Sequence, residues 1–289
     1  MLGLDHPLVA VRDLERARDT YLSLGFRMKP AGRHPWGTST ALVIFHRQLL
    51  ELVSVWDRDL LSTYPAGDFL FGRHVADHLA QREGVALSAL QSDDAMADAA
   101  AVAARGGTVR GRIDFGRDVT RDDGTPDRTS TTLAVFTRDG LPRLSMFACQ
   151  QHRRDLIEFP EWMDHPNGAI GFASATILAE DQAPVRDWMA ALHGADAITG
   201  RTDGFNVQTA KGAWRVRNRQ GAEALFGPLP QGLAADGAAS VISLDILADL
   251  PRLRPFLSTF AVREVGGAVV LPEHDRLGGI LLSFVQPGA

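Results

Sequence analysis

The chain has 289 residues, 45% of them hydrophobic and 22% charged, enough apolar mass for one large core or two smaller ones. Its formal net charge of -5 excludes the concentrated basic surface that nucleic acid requires. The single cysteine, Cys149, excludes a disulfide within the chain, and no apolar run approaches the roughly 20 residues of a membrane helix, so a cytoplasmic protein without a membrane partner is expected.

The first apolar run, Asp5–Val11, reads as a strand that begins on a histidine, His6. Leu14, Ala17, Tyr21 and Leu24 recur at helical spacing behind an Asp13 cap and before Gly25, which predicts a helix over Leu14–Leu24. Strands are expected at Arg27–Gly32, Ser39–His46 and Leu49–Trp56, the last two joined by a tight turn at Arg47–Gln48. This is a βαβββ unit. Tyr64–Val85 reads as an insertion with a short helix carrying His74 and His78 on a solvated face.

The same plan returns three times. A strand and an alanine-rich helix ending at Gly106–Gly107 precede strands at Val109–Phe115, Thr131–Thr137 and Leu144–Gln150. The charged segment 117–130 carries Asp-Gly and Thr-Pro turn signals and reads as a solvated hairpin, with a lid as the functional alternative. After 151–168, which reads as a linker, a third unit begins at Ala169, with Pro184 in the first turn of its helix. Its strands are expected near Ile198–Thr202, Phe205–Thr209 and Ala213–Asn218. The fourth has Pro255 inside its helical pattern, so that helix must be short or kinked. Each first strand closes on an aspartate turn: Asp13, Asp93 or Asp94, Asp181 and Asp249.

This repeated plan, with "LDHPLVAVRDLERARDTYLSLGF", "GRHPWGTST" followed by "LLELVSV", and "PEWMDHPNGA", resembles the vicinal-oxygen-chelate superfamily, which includes glyoxalases, bleomycin-resistance proteins and extradiol dioxygenases, and within it the glyoxalase-like domain branch. The resemblance implies an α+β fold of four βαβββ modules, paired into two half-open barrel-like sheets with helices outside. Residues 1–150 would form the half with the site. Residues 169–289 would form a second, buttressing half, because its cleft strands carry few polar groups.

The resemblance further implies ligands on first and fourth strands, here His6 and Glu51, for a divalent ion such as Zn, Ni, Fe or Mn. The positions matching His6 in the other units are Ala86 or Leu87, Ser174 and Ile242, so a two-unit ligand set is absent. His152 is the first candidate to complete the site, with Gln150 a weaker donor or substrate contact and His165 an alternative that otherwise caps a turn. Glu51 is also the candidate general base. Arg33 and His34 are candidate contacts for an anionic substrate, with Trp36 as an apolar wall or a barrel plug. Cys149, on an apolar strand, reads as a small buried hydrophobe. The implied activity is lyase, isomerase or dioxygenase chemistry on a small molecule with adjacent oxygens. The alternative is a metal-free ligand-binding protein, in either case a monomer or a homodimer.

Overall fold

Eight consecutive buried residues, Gly3–Ala10, form the first strand, β1. Burial on both faces requires a layer on each side, and the chain supplies a helix layer on one and a cleft on the other. The structure, a computed structural model, describes residues 2–121 and 123–288. Met1, Asp122 and Ala289 lie outside the described residues, Asp122 being part of the charged segment 117–130.

Module one continues with α1 (Leu14–Ser23), β2 (Gly32–Arg33), β3 (Thr38–Phe45) and β4 (Gln48–Val55). The helix α2 (Phe71–Gln81) leads into module two: β5 (Gly84–Gln91), α3 (Ala95–Ala104), β6 (Thr108–Phe115), a hairpin of β7 (Asp118–Thr120) and β8 (Pro126–Arg128), then β9 (Thr131–Thr137) and β10 (Met146–Gln151). The single-turn helix α4 (Pro160–Met163) precedes module three, made of β11 (Ala169–Leu178), α5 (Ala183–His193), β12 (Ile198–Arg201), β13 (Gly204–Gln208) and β14 (Ala213–Arg217). After α6 (Arg219–Phe226), module four comprises β15 (Ser240–Ala248), α7 (Leu250–Leu253), β16 (Arg263–Val265), β17 (Ala268–Leu271) and β18 (Leu281–Val285).

The first sheet runs β2-β3-β4-β1-β5-β10-β9-β6 and the second β12-β13-β14-β11-β15-β18-β17-β16. The two orders are the same, and in each the first strands of two modules pair antiparallel at the centre. The fold is therefore α+β, two eight-stranded mixed sheets of paired modules with helices against them, as the repeat predicts.

Local chemistry sets the helix ends. Asp13 accepts from the Arg16 N–H, Asp94 from Met96 and Ala97, and Asp249 from Arg252. Pro255 limits the fourth helix to α7 plus a 3-10 turn over Arg254–Leu257.

Three local expectations fail. Residues 27–31 form no strand; only Gly32–Arg33 pairs with β3. The hairpin turn sits at His46–Arg47, one residue early, because Gln48 is the first residue of β4 and pairs with Phe45. The helix α2 is not a solvated element: Phe71, Val75 and His78 are buried and His74 bonds the Ala86 carbonyl.

The helices lie outside each sheet but inside the molecule. Tyr21 of α1, Val102 of α3, Trp188 of α5 and Leu253 of α7 belong to one continuous core that reaches both sheets. Polar links cross this seam: Trp188 Nε1 donates to the Leu144 carbonyl (2.8 Å), and Gln48 accepts from Phe172 N while donating to the Leu4 carbonyl (both 2.9 Å). No helix among the described residues is long and apolar enough to cross a membrane.

Candidate active site in the cleft of the first sheet

A register shift decides where His6 points. Between Leu4 and His6 the pairing of β1 with β5 slips by one residue, at Asp5. Such a bulge switches the face that following side chains occupy. Leu2 and Leu4 therefore join the helix-side core, while His6 and Leu8 line the cleft and Ala10 packs in its wall. On β4, Leu50 and Leu52 face the helices, so Leu49 and Glu51 face the cleft. The parallel pairing of β1 and β4 sets Leu8 opposite Glu51.

His6 Nε2 consequently lies 3.3 Å from Glu51 Oε2, with the two side chains only 5% and 6% exposed. On its other side, His6 Nδ1 lies 3.0 Å from Asp5 Oδ1. His34 brings its Nε2 to 4.0 Å from Glu51 Oε1 and its Nδ1 to 2.9 Å from Thr38 Oγ1. Its ring stacks on Trp36 at 4.7 Å between centroids. Phe71, Phe115 and Phe147 complete an aromatic wall, and Arg117, Cys149 and Gln151 add the remaining polar groups of the cleft.

Gly37 shapes this end of the cleft. Its φ of +81° lies in the left-handed region, and a Cβ there would stand 2.2 Å from the Asp57 carbonyl oxygen. That close approach fixes the turn carrying Trp36 against the chain after β4.

The three titratable groups differ in character. Burial by itself lowers the His6 pKa, but the charge and hydrogen bond of Asp5 and the charge of Glu51 outweigh it, so His6 is held above its ordinary 6.5. Burial, aided by the positive charges of Arg117 and His6, drives His34 well below 6.5, so it is neutral. Burial likewise pushes the Cys149 thiol well above its ordinary range, with Asp5 adding to the effect, which removes it as a nucleophile.

The other sequence candidates separate from this group. His152 is exposed and bonds Thr132 Oγ1 at 2.9 Å, so it does not join His6 and Glu51. Gln150 points to the helix side, accepting from Ala95 N and donating to the Asp93 carbonyl, because strand alternation gives the cleft to Cys149 and Gln151. Arg33 is exposed, with its guanidinium 4.2 Å over the Trp56 ring. Trp36 is buried and is both wall and plug. His165 is buried at the seam between the sheets, accepting from Arg27 N (3.1 Å) and bonding the Ile44 carbonyl (3.0 Å). Sequence reasoning missed Arg117 and Gln151. Alternation from Cys149 points to Gln151, whereas Arg117 looks like one charge among many in a solvated hairpin.

The donor types can be tested against a divalent ion. Among the described residues no group of three or more His, Cys, Asp or Glu side chains is spaced to hold an ion. The nearest approach is His6, His34 and Glu51, and Glu51 Oε1 is buried without a hydrogen-bond partner. Two imidazoles and one carboxylate suit Zn, Fe, Ni or Mn. When His34 Nδ1 carries the proton given to Thr38, its Nε2 lone pair is turned to the Glu51 side. His6 must first release its proton. In donor type, though not in their present spacing, these three residues match such an ion, and His34 rather than His152 stands beside His6 and Glu51.

Among the described residues, the second sheet places different side chains at the positions of His6 and Glu51. By register, Ser174, Arg215 and Asp245 correspond to His6, Glu51 and Ala89. Asp245 is ion-paired to Arg215 and accepts from Ser174 Oγ at 2.5 Å, while Phe226 of α6, Leu233 and Ala234 fill the hollow. The expectation of few polar groups in this half is thus corrected: they are present, but they bond one another.

In sequence, the model of the family described as "Glyoxalase-like domain" matches residues 4–193. No curated protein matches the chain. In fold, the chain is similar to a hypothetical protein from Staphylococcus aureus, with TM-score 0.67 and 12% identity over 99% of this chain and 100% of that one. It is also similar to a variant of 4-hydroxymandelate synthase from Streptomyces coelicolor, with TM-score 0.51 and 10% identity over 98% and 92% of the two chains. Homoprotocatechuate 2,3-dioxygenase from Arthrobacter globiformis aligns with TM-score 0.50 and 11% identity over 99% and 80%. With a family match over more than half its length and the repeated module in its sheets, the chain belongs to the glyoxalase-like domain family of the vicinal-oxygen-chelate superfamily.

Proposed function

We propose that the chain is a glyoxalase-like enzyme for a small molecule with adjacent oxygens, working in the cleft of the first sheet through His6, His34 and Glu51. The observation that carries this reading is the His6–Glu51 contact of 3.3 Å, beside a buried Glu51 oxygen that lacks a hydrogen-bond donor. A buried carboxylate oxygen left this way costs free energy unless a ligand or ion completes it. A divalent ion held by His6, His34 and Glu51 would supply Lewis-acid polarisation of the oxygen pair, common to lyase, isomerase and dioxygenase chemistry. Without an ion, Glu51 would instead take a proton from substrate while the protonated His6 stabilises the resulting negative charge. The aromatic wall excludes water and holds the substrate's apolar body.

Metal analysis of protein purified without tag or chelator tests the metal-bound form. About one divalent ion per chain, lost in His6→Ala and Glu51→Gln, is the expected result. No metal, together with an unchanged melting temperature on adding Zn, Ni, Fe(II) or Mn, overturns it.

A metal-free ligand-binding protein is the second reading. The contacts of His6 with both Asp5 and Glu51 support it, because those carboxylates already balance the imidazolium.

A further inference from the structure

We infer that Arg117 is the substrate-recognition residue of this cleft and that it selects small carboxylates with an apolar or aromatic body. The inference rests on the cleft of the first sheet being the ligand site, as proposed above, but not on a metal or on the reaction.

The argument begins from an exception. Arginines around Arg117 have carboxylate partners: Arg110 with Asp68 and Asp139, Arg112 with Asp114, Arg121 with Asp127, and Arg128 with Asp118. Arg117 has none within 4.0 Å among the described residues, and its side chain makes no hydrogen bond to any of them. It is nevertheless half-buried and turned inward, against Phe115, Cys149 and Glu51 in the cleft wall. A partly desolvated guanidinium without a fixed counterion is an unmatched donor fork, suited to the two oxygens of a carboxylate.

Its placement is fixed by the backbone. Arg117 N donates to Thr129 Oγ1 and Thr129 N donates to the Arg117 carbonyl, both at 2.9 Å, closing the base of the β7–β8 hairpin. A Cβ on Gly116 would meet the Thr129 carbonyl oxygen at 2.2 Å, so the strands at this base approach closely. Gly32 leaves room on the other side, its absent Cβ lying 3.0 Å from Arg117 Nη1. The guanidinium is thus held at the mouth between two hollows, the cleft and a neighbouring one lined by Lys29, Thr40 and Leu156.

Charge decides the ligand class. Glu51 lies in the same cleft as Arg117, so a monoanion pairs with the guanidinium while its apolar part is received by Trp36, Phe71, Phe115 and Phe147. A dianion such as a phosphate monoester meets more repulsion from Glu51.

Saturation-transfer NMR and calorimetric titration of the full chain with benzoate, phenylacetate and 3-phenylpropionate, each beside its neutral amide, test this. At least one acid is expected to bind tenfold or more tightly than its amide, weakening as NaCl is raised. Arg117→Gln should reduce that preference to twofold or less with amide binding unchanged, and Arg117→Lys should keep part of it. Glu51→Gln should retain or increase it, so a failed metal reading leaves this result standing. Equal or absent binding of acids and amides, or a preference that survives Arg117→Gln, overturns the inference. If Arg117→Gln does not fold, the wild-type acid-to-amide ratio and its salt dependence decide. Tighter binding of phenyl phosphate than of every acid overturns the carboxylate class.

Discussion

At the residue scale the controlling feature is a histidine held between two acids. Asp5 and His6 are adjacent in sequence and would point to opposite faces of a regular strand, yet the bulge lets them pair at 3.0 Å. Removing one member of such a buried pair leaves the other uncompensated. Asp5→Ala should therefore lower stability by about 3 kcal/mol, read from urea unfolding with an unchanged slope. Gly37 is equally constrained. Gly37→Ala combines a φ of +81° with a 2.2 Å approach to the Asp57 carbonyl and should cost roughly 2 kcal/mol or more. Because Trp36 stacks on His34, its near-UV circular dichroism and fluorescence should change in the same variant.

Among the elements, the segment around α4 does more than link. His165 bonds Arg27 N and the Ile44 carbonyl, Asn167 donates to the Leu24 carbonyl, and Asp249 N donates to the Gly168 carbonyl. One short stretch thereby ties α1 and β3 of the first half to α7 of the second. Burial, partly opposed by the Ile44 hydrogen bond, lowers the His165 pKa from 6.5 to about 4. Between those values the unfolded chain binds a proton that the folded chain refuses, so stability is full above pH 6.5 and declines as pH falls toward 4. This residue alone accounts for roughly 3 kcal/mol of that decline. His165→Gln should reduce the slope of unfolding free energy against pH across that window by up to one proton's contribution, the rest coming from other buried histidines such as His193 and His78, although it lowers stability at pH 7. At α3 the Asp94 side chain satisfies two N–H groups, and Asp94→Ala should cost about 1 kcal/mol while leaving ligand binding unaltered.

For the whole molecule, the two halves repeat one topology but differ in how their polar groups are satisfied. One sheet keeps a polar cleft; in the other, Arg215, Asp245 and Ser174 satisfy one another under Phe226. Asp245→Ala should then destabilise the chain by about 3 kcal/mol and leave binding in the first cleft intact once folded. The halves share one core, to which Tyr21, Phe26, Phe45, Phe172 and Trp188 all belong. A chain ending at residue 168 should expose that surface and show the dispersed side-chain NMR spectrum of neither a folded half nor the parent. A well-dispersed spectrum from the truncated chain would contradict this.

Sequence by itself determined the four modules and the aspartate caps of three of their helices, because hydrophobic period and capping are local signals; the family resemblance implied how the modules pair. It also singled out His6 and Glu51, as polar residues on otherwise apolar strands. Tertiary structure decided the rest. Gln151 replaces Gln150 because the parity of β10 depends on its partners, and His34 replaces His152 because a loop brings it back over β4. Arg117 is distinguished from its neighbours by lining the cleft and having no carboxylate within 4.0 Å among the described residues. Distances between side chains far apart in sequence follow from how two sheets curl and pack, and no local pattern carries that information.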